Sequence, residues 1–206
     1  MTGTAGRSGA SRRATVFACV AAGVLGLDQG TKVLALVLLG YGRRVTVIPG
    51  LLSFVLVRNP GATLGLGSSM TWLISLFAIV AVVALMVLAS RTDSMRWTVG
   101  FALAAAGAAG NLLDRIMHAD GFLNGRVIDF LDYGWSVGNI ADVALTVAGV
   151  LIIVLILAGE PFRTEQSAAA VHGTTADGTV SNGGAASQDA SAADGSSSFP
   201  PEAGAR

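Results

Sequence analysis

Residues 97–115 read WTVGFALAAAGAAGNLLDR, an apolar run of mostly small side chains that ends in asparagine, aspartate and arginine. The small residues at 102–110 allow helices in a membrane to pack closely. Asn111, Asp114 and Arg115 are spaced i, i+3 and i+4, so they share one face of a helix. Ionisable groups at membrane depth are costly and usually mark function. The stretch therefore predicts a membrane helix with a functional polar end.

The composition of the whole chain is typical of a membrane protein. Of its 206 residues, 52% are hydrophobic and 13% are charged, whereas about 25% are charged in a soluble domain. Hydropathy predicts four helices, at residues 14–39, 71–89, 97–113 and 140–158, each near the roughly 20 residues that cross a bilayer. The formal net charge is zero, so bulk electrostatics indicates no nucleic-acid partner. We predict a membrane all-α fold with four transmembrane helices and a small extracytoplasmic β element.

The distribution of arginine predicts the orientation. Residues 1–13 carry three arginines before the first helix, which predicts a cytoplasmic N-terminal arm. Four crossings would return the C-terminus to the cytoplasm. The number of arginines on the two sides of the membrane is nearly balanced, because five are expected on the opposite side: Arg43, Arg44, Arg58, Arg115 and Arg126. We expect the first helix to dominate the orientation and function to hold some of the outer arginines.

The chain divides into a membrane domain at 14–160 and a tail at 161–206. The tail is mostly Ala, Gly, Ser, Thr and Asp, cannot bury a core, and is predicted to be disordered. Within the domain, residues 43–65 predict a short strand pair followed by a turn, and 127–131 form another β-prone run. Asp120 and Asp132 are expected to be solvated loop residues.

Three aspartates are predicted to lie at one depth. With a helix rise of about 1.5 Å per residue, Asp28, Asp114 and Asp142 each lie roughly 22 to 26 Å from the inner end of their helix. Against a hydrocarbon core of about 30 Å, this is just inside the outer leaflet. Asn139 shares a face with Asp142 at i, i+3. Asp28 and Lys32 are spaced i, i+4, and this pair is either a structural salt bridge or part of a site.

Clustered carboxylates suit peptide hydrolysis. Two adjacent aspartates cannot both ionise cheaply, so they share a proton. One can then accept a proton from water while the other donates to the scissile carbonyl. Spacing leaves open which two form the pair among Asp28, Asp114, Asp129 and Asp142. Two histidines and one cysteine exclude a Cys/His zinc site.

Two other classes of function fit intramembrane aspartates. A proton-coupled transporter or channel would use them as a relay, but a relay tends to spread polar groups through the membrane rather than gather them at one level. A non-catalytic scaffold would use them to fix helix packing. It accounts for one such residue more easily than for several carboxylates at a shared depth.

Five ordered motifs resemble the lipoprotein signal peptidases, or signal peptidase II, a family of bacterial membrane aspartic proteases. They are Leu-Asp-Gln-Gly-Thr-Lys at 27–32, Asn-Pro-Gly-Ala-Thr-Leu-Gly at 59–65, Gly-Asn-Leu-Leu-Asp-Arg at 110–115, Val-Ile-Asp-Phe at 127–130 and Asn-Ile-Ala-Asp at 139–142. The resemblance covers about residues 15–160. Two features depart from the family: the segment 118–126 is longer, and Gly138 stands where an aromatic residue is common.

The resemblance implies roles for particular residues. Asp129 and Asp142 would be the catalytic pair. Six others would line or brace the site: Asp28, Asn59, Asn111, Asp114, Arg115 and Asn139. The substrates would be diacylglyceryl-modified prolipoproteins, cleaved just before the lipidated cysteine at the extracytoplasmic face of the cell membrane, in contact with membrane lipid. The family uses no metal or organic cofactor, and the protein is expected to be a monomer.

Overall fold

The computed structural model describes residues 3–40, 42–61 and 70–163. They form four helices and four strands. The helices are α1 (Gly3–Leu38), α2 (Thr71–Arg91), α3 (Met95–Met117) and α4 (Ile140–Leu157). The strands are β1 (Arg44–Ile48), β2 (Leu52–Asn59), β3 (Val127–Asp132) and β4 (Val137–Gly138). The tail beyond Arg163 and motif residues 62–65 lie outside the described residues.

Helix α3 contacts all three other helices, because small residues fill much of its surface. A Cβ at Gly107 would lie 2.6 Å from the backbone oxygen of Ala141 in α4. A Cβ at Gly110 would lie 2.6 Å from Asp28 Oδ2 in α1. Both distances are shorter than a van der Waals contact, so only glycine lets these helices approach so closely. The glycines thereby bring the polar ends of α1, α3 and α4 together.

Within the described part of the chain, three helices are long and apolar enough to cross a membrane, spanning Ser8–Leu38, Thr71–Arg91 and Ile140–Leu157. Helix α3 has 23 residues but is not among them. Its many alanines and glycines, and its polar residues near the C-terminal end, lower its mean hydropathy. Most of its residues are covered by the other helices, whereas α2 buries only Thr71 and Ser75.

The first helix is longer than predicted. It begins at Gly3 instead of residue 14, so most of the segment predicted as an N-terminal arm continues α1. Near its start, Arg13 forms an ion pair with Asp93 in the α2–α3 connection at 3.4 Å.

The predicted β element is a four-stranded antiparallel sheet in the order β1-β2-β3-β4. Apolar residues of the sheet pack on the C-terminal end of α1 in one buried cluster: Ala35, Leu39, Leu56, Ile128 and Phe130. The pairing of Asn59 with Val127 and of Val57 with Asp129 brings the end of β2 beside the start of β3. The sheet therefore carries polar residues of two separate motifs to the helix ends.

The prediction for Asp132 was wrong. It lies at the end of β3 and is 4% exposed. Its carboxylate forms an ion pair with Arg44 of β1 at 2.5 Å and accepts a hydrogen bond from the backbone of Gly134 at 2.8 Å. The strand continues one residue beyond the predicted run, and Asp132 pairs with Ser53 of β2 on one side and with Val137 of β4 on the other. Asp120 is exposed, as predicted.

The longer segment at 118–126 folds back against the end of α3. The backbone N–H of Gly125 donates to the Arg115 carbonyl at 3.1 Å, and a Cβ at this glycine would lie 2.3 Å from that oxygen. Ser75 of α2 donates to the Leu123 carbonyl at 2.7 Å. The segment is thus tied to two helices, and it leads directly into β3.

Candidate active site

The polar end of α1 is joined to α3 by a buried cation. Lys32 contacts Asp28 Oδ2 at 2.8 Å and Asp114 Oδ2 at 2.9 Å. Gln29 donates to the same two carboxylates, at 3.1 Å each. Asp28 is fully buried, and Asp114 and Lys32 are almost so. Buried carboxylates need such partners, since an unpaired buried charge is very costly. Asp28 and Lys32 form the ion pair that their i, i+4 spacing allows, and Lys32 extends it to a second helix.

Asp28 also fixes the start of α4. Its Oδ1 accepts a hydrogen bond from the backbone N–H of Ala141 at 2.9 Å. The first N–H groups of a helix have no partner within that helix, and the helix dipole favours a negative charge at that end. Asp28 therefore supplies one of the missing acceptors from another helix.

Asn139 is the N-cap of α4. Its side-chain oxygen accepts from the backbone N–H of Asp142 at 3.1 Å, and its own backbone N–H donates to Asp142 Oδ2 at 3.1 Å. The two bonds form a capping box, with aspartate in the place of the usual glutamate or glutamine. A Cβ at Gly138 would lie 2.8 Å from Asp142 Oδ2. The glycine that departs from the family pattern thus leaves room for this carboxylate.

Asn111 connects α3 to the start of α4. Its Nδ2 donates to Asp142 Oδ1 at 2.9 Å, and its Oδ1 accepts from Asn139 Nδ2 at 3.0 Å and from Lys32 at 3.2 Å. A single asparagine therefore joins the buried ion pairs to the carboxylate at the head of α4.

Asp129 reaches the same group from the sheet. Its Oδ1 accepts from Asn139 Nδ2 at 2.6 Å, and its Oδ2 accepts from Asn59 Nδ2 at 2.9 Å. The side chain is 2% exposed. Burial, together with the nearby Asp142 carboxylate, raises the pKa of Asp129 from 3.8 to about 6, although the hydrogen bonds from Asn59 and Asn139 oppose this rise. A carboxyl with such a pKa can exchange a proton near neutral pH.

Asp114 and Arg115 hold the surrounding backbone. Asp114 Oδ2 accepts from the backbone N–H of Ile128 at 3.0 Å, next to Asp129 in β3. Arg115 donates to the carbonyls of Asn111 at 3.1 Å and of Gly61 at 2.8 Å. These bonds tie α3 to the segment after β2 and to β3.

Asp129 and Asp142 both border one open cavity of about 620 Å³. Its other polar lining includes Asn59, Asn111 and Arg115. Most of the remaining lining is apolar: Leu51, Ile74, Ala78, Ala108, Val127, Val137, Val143, Leu145 and Val147. A smaller pocket of about 270 Å³ also borders Asp129, beside Arg58 and Pro60. Within the described ranges, no group of three or more His, Cys, Asp or Glu side chains is arranged to hold a metal ion.

Residues 20–158 match the family model described as signal peptidase (SPase) II. The chain belongs to the signal peptidase II family. It is therefore an enzyme, a peptidase. The lipoprotein signal peptidase of Bifidobacterium longum subsp. infantis is 63% identical to it over 150 residues, which cover 73% of this chain and 82% of that one. The lipoprotein signal peptidase of Mycobacterium avium is 41% identical over 154 residues, covering 74% and 85%.

A solved structure agrees with membership in the signal peptidase II family. A bacterial membrane enzyme determined by the in meso method at 2.3 Å resolution superposes with a TM-score of 0.64 at 30% identity. The match covers 73% of this chain and 93% of the solved one. A second such structure, at 1.9 Å resolution, gives a TM-score of 0.61.

Every residue predicted for the signal peptidase II site lies in one hydrogen-bonded group. The group contains Asp28, Asn59, Asn111, Asp114, Arg115, Asp129, Asn139 and Asp142. The sequence did not predict the role of Gln29 or the second contact of Lys32. Both residues lie in the first motif, more than 80 residues before Asp114 in the sequence. Only the folded structure shows that they contact Asp114.

Proposed function

We propose that this peptidase removes the signal peptides of diacylglyceryl-modified prolipoproteins by cleaving before the lipidated cysteine. The family membership supports the general activity, and relatives named lipoprotein signal peptidase support the substrate class. The largely apolar lining of the cavity is suited to a lipid-bearing peptide. The observation that carries the proposal is that two acidic side chains, Asp129 and Asp142, border this one cavity and are bridged by Asn139.

The chemistry assigned to the pair is general acid–base catalysis with one shared proton. The ionised carboxylate accepts a proton from water, and the water oxygen attacks the carbonyl carbon of the residue before the cysteine. The protonated carboxyl donates its proton to the carbonyl oxygen, which gives a neutral tetrahedral intermediate. When the intermediate collapses, the C–N bond breaks, one carboxyl protonates the leaving cysteine nitrogen, and a hydroxyl proton returns to the other carboxylate.

The remaining residues of the group act on this pair without reacting. Asn59 and Asn139 stabilise the ionised form of Asp129 by donating to it. Asn111 donates to Asp142. Asp28, Asp114 and Arg115 hold the backbones that carry these side chains.

The proposal includes the placement of the enzyme in the membrane. All four helices would cross the cell membrane, with both termini in the cytoplasm and the sheet at the extracytoplasmic face. Helix α3, which buries more of its residues than α2 or α4, would be shielded from lipid by the other three. The substrate would reach the cavity from the bilayer. Since every group of the hydrogen-bonded cluster comes from one chain, a monomer would be sufficient for activity.

Mass spectrometry of a synthetic or purified lipidated precursor, incubated with the enzyme in detergent or nanodiscs, tests this function. We expect two products, a free signal peptide and a chain that begins with the lipidated cysteine. A matched precursor with serine in place of the cysteine carries no lipid and should remain intact. Cleavage at another bond, or equal cleavage of the unlipidated precursor, would contradict the proposed specificity.

A further inference from the structure

Lys32 is the only lysine of the chain, and it is 2% exposed. An ammonium group has three N–H donors and no acceptor. All three donors have partners: Asp28 Oδ2 at 2.8 Å, Asp114 Oδ2 at 2.9 Å and Asn111 Oδ1 at 3.2 Å. Burial of the charged group is therefore matched by two carboxylates and one amide carbonyl.

The contact with Asn111 determines which way its amide points. The carbonyl oxygen of an asparagine has two lone pairs, and in Asn111 they accept from Lys32 and from Asn139 Nδ2. The NH₂ group then remains to face Asp142, and it donates to Oδ1 at 2.9 Å. If the amide were turned over, its NH₂ would face the donors of Lys32 and Asn139, and its oxygen would face the carboxylate. Both arrangements would be repulsive.

We propose that Lys32 is a positioning residue of the active site, whose donor-only ammonium fixes the Asn111 amide so that it donates to Asp142. This inference rests on the proposed role of Asp129 and Asp142. It gives Lys32 a function beyond neutralising Asp28 and Asp114, because it sets the direction of the hydrogen bonds that reach the catalytic pair.

The fixed direction also limits where the shared proton can reside. Asp142 Oδ1 accepts from Asn111, and Oδ2 accepts from the backbone of Asn139. Both oxygens of Asp129 accept from side-chain amides. Each oxygen thus has its protein-facing lone pair occupied, so the proton must use a lone pair on the cavity side, where water and the scissile carbonyl would lie.

The charge of Lys32 acts in the same direction as its hydrogen bonds. It lowers the pKa of Asp129, against the burial that raises it. Other charged or titratable groups interact with Asp129 or lie beside it, among them Arg115 from α3, Asp142 from α4 and Tyr133 from the turn after β3. Arg58 of β2 borders the same small pocket as Asp129. Loss of Lys32 removes a cation that lowers the pKa of Asp129, so the pKa of this carboxyl should rise.

The test compares Lys32→Met with Gln29→Met. Gln29 joins the same two carboxylates, Asp28 and Asp114, but has no bond to Asn111 and no charge. The pH dependence of kcat/KM on a lipidated precursor would be measured for both variants, together with their melting temperatures. We expect Lys32→Met to lower kcat at least about tenfold and to move the alkaline limb of the profile to higher pH. Gln29→Met should lower the melting temperature without moving the limb.

A second variant keeps the inference testable if Lys32→Met does not fold. Asn111→Asp preserves an acceptor for Lys32 but presents a carboxylate oxygen to Asp142, which requires an additional proton between the two. We expect a lower kcat and an alkaline limb at higher pH. An unchanged limb in this variant or in folded Lys32→Met, or an equal shift in Gln29→Met, would overturn the role of Lys32.

The outcome is separable from that of the proposed function. If Asp129→Asn or Asp142→Asn still cleaves the precursor, the catalytic assignment fails, whatever Lys32 does. If both of these variants are inactive while Lys32→Met retains the wild-type profile, only the inference about Lys32 fails.

Discussion

The side-chain amide of Asn139 donates a 2.6 Å hydrogen bond to the carboxylate of Asp129. Asn139 also caps α4 through its two hydrogen bonds with Asp142. One asparagine thus has two separable tasks, to start a helix and to bridge that helix to the sheet. The two acidic side chains keep a fixed relation because a rigid helix end and a strand are joined at this point.

Replacement of Asn139 separates the two tasks. Asn139→Ser keeps an N-cap oxygen, since serine caps about as well as asparagine, but it cannot reach Asp129 with an amide N–H. Asn139→Ala loses both functions and should cost roughly 0.5–2 kcal/mol of stability. We expect both variants to lose activity and only Asn139→Ala to lose substantial thermal stability. Melting curves and cleavage rates measured side by side would check this. An active Asn139→Ser enzyme would show that the bridge is dispensable.

Asn59 should influence the pH dependence of the reaction. Its hydrogen bond stabilises ionised Asp129 and so lowers the pKa of that carboxyl. In Asn59→Ala this pKa should rise above about 6, and the alkaline limb of kcat/KM should move to higher pH. Asn124→Ala is the control, because Asn124 accepts a bond from Gly121 within the 118–126 segment and is not among the causes of the raised pKa of Asp129. If the alkaline limb of kcat/KM does not move in Asn59→Ala, the proposed effect of the Asn59–Asp129 hydrogen bond on the pKa of Asp129 is contradicted.

The raised pKa of Asp129 should also make folding depend on pH. A carboxyl whose folded-state pKa lies above its unfolded value stabilises the fold at low pH, and this contribution is lost as pH rises through the folded pKa. With values of 3.8 and about 6, the loss is about 3 kcal/mol, at about 1.4 kcal/mol per unit. Asp129→Asn has no such group, so its melting temperature should fall less than that of the wild type between pH 4 and pH 7. Equal slopes for the two proteins would mean that Asp129 has an ordinary pKa.

Gly110 should be intolerant of any side chain. A Cβ there would lie 2.6 Å from Asp28 Oδ2 and 3.3 Å from the Cβ of Ala141, so Gly110→Ala should force α1 and α4 away from α3. We expect a loss of roughly 1–3 kcal/mol and reduced cleavage, measured by thermal melting and activity. Gly149→Ala in α4 meets nothing within 4 Å and should be at least as stable as the wild type. Similar behaviour of the two variants would argue against close packing at Gly110.

The residues themselves explain how far the sequence could predict this site. Helical spacing and rise were enough to expect Asp28, Asp114 and Asp142 at one level, and an i, i+4 pair between Asp28 and Lys32. Helical spacing and rise could not predict the bond from Lys32 to Asp114. The spacing of residues within one helix shows which of them share a face, but not which face of a neighbouring helix they contact. The close approach of α1 to α3 at Gly110 favours that relation.

Other parts needed tertiary information. Hydropathy predicted α3 as a span, but its alanines and glycines make it less apolar than α2 and α4. Much of its surface is covered by protein, which hydropathy alone does not predict. Asp132 was expected in solvent, since its burial depends on the partner strands and on Arg44 of β1. Spacing alone left the choice of acidic pair open. The shared cavity beside Asp129 and Asp142 now favours the pair that the family motifs imply.

The most direct measurement is mass spectrometry of a lipidated precursor after incubation with Asp129→Asn and with Asp142→Asn. Asp132→Asn is the matched control, because it changes a buried aspartate at the end of the same strand that does not line the cavity. We expect both active-site variants to fold and bind the precursor but to lose at least about 1,000-fold in kcat, whereas Asp132→Asn should release the signal peptide. Release of the signal peptide at a near wild-type rate by either Asp129→Asn or Asp142→Asn would contradict the assignment of this catalytic pair.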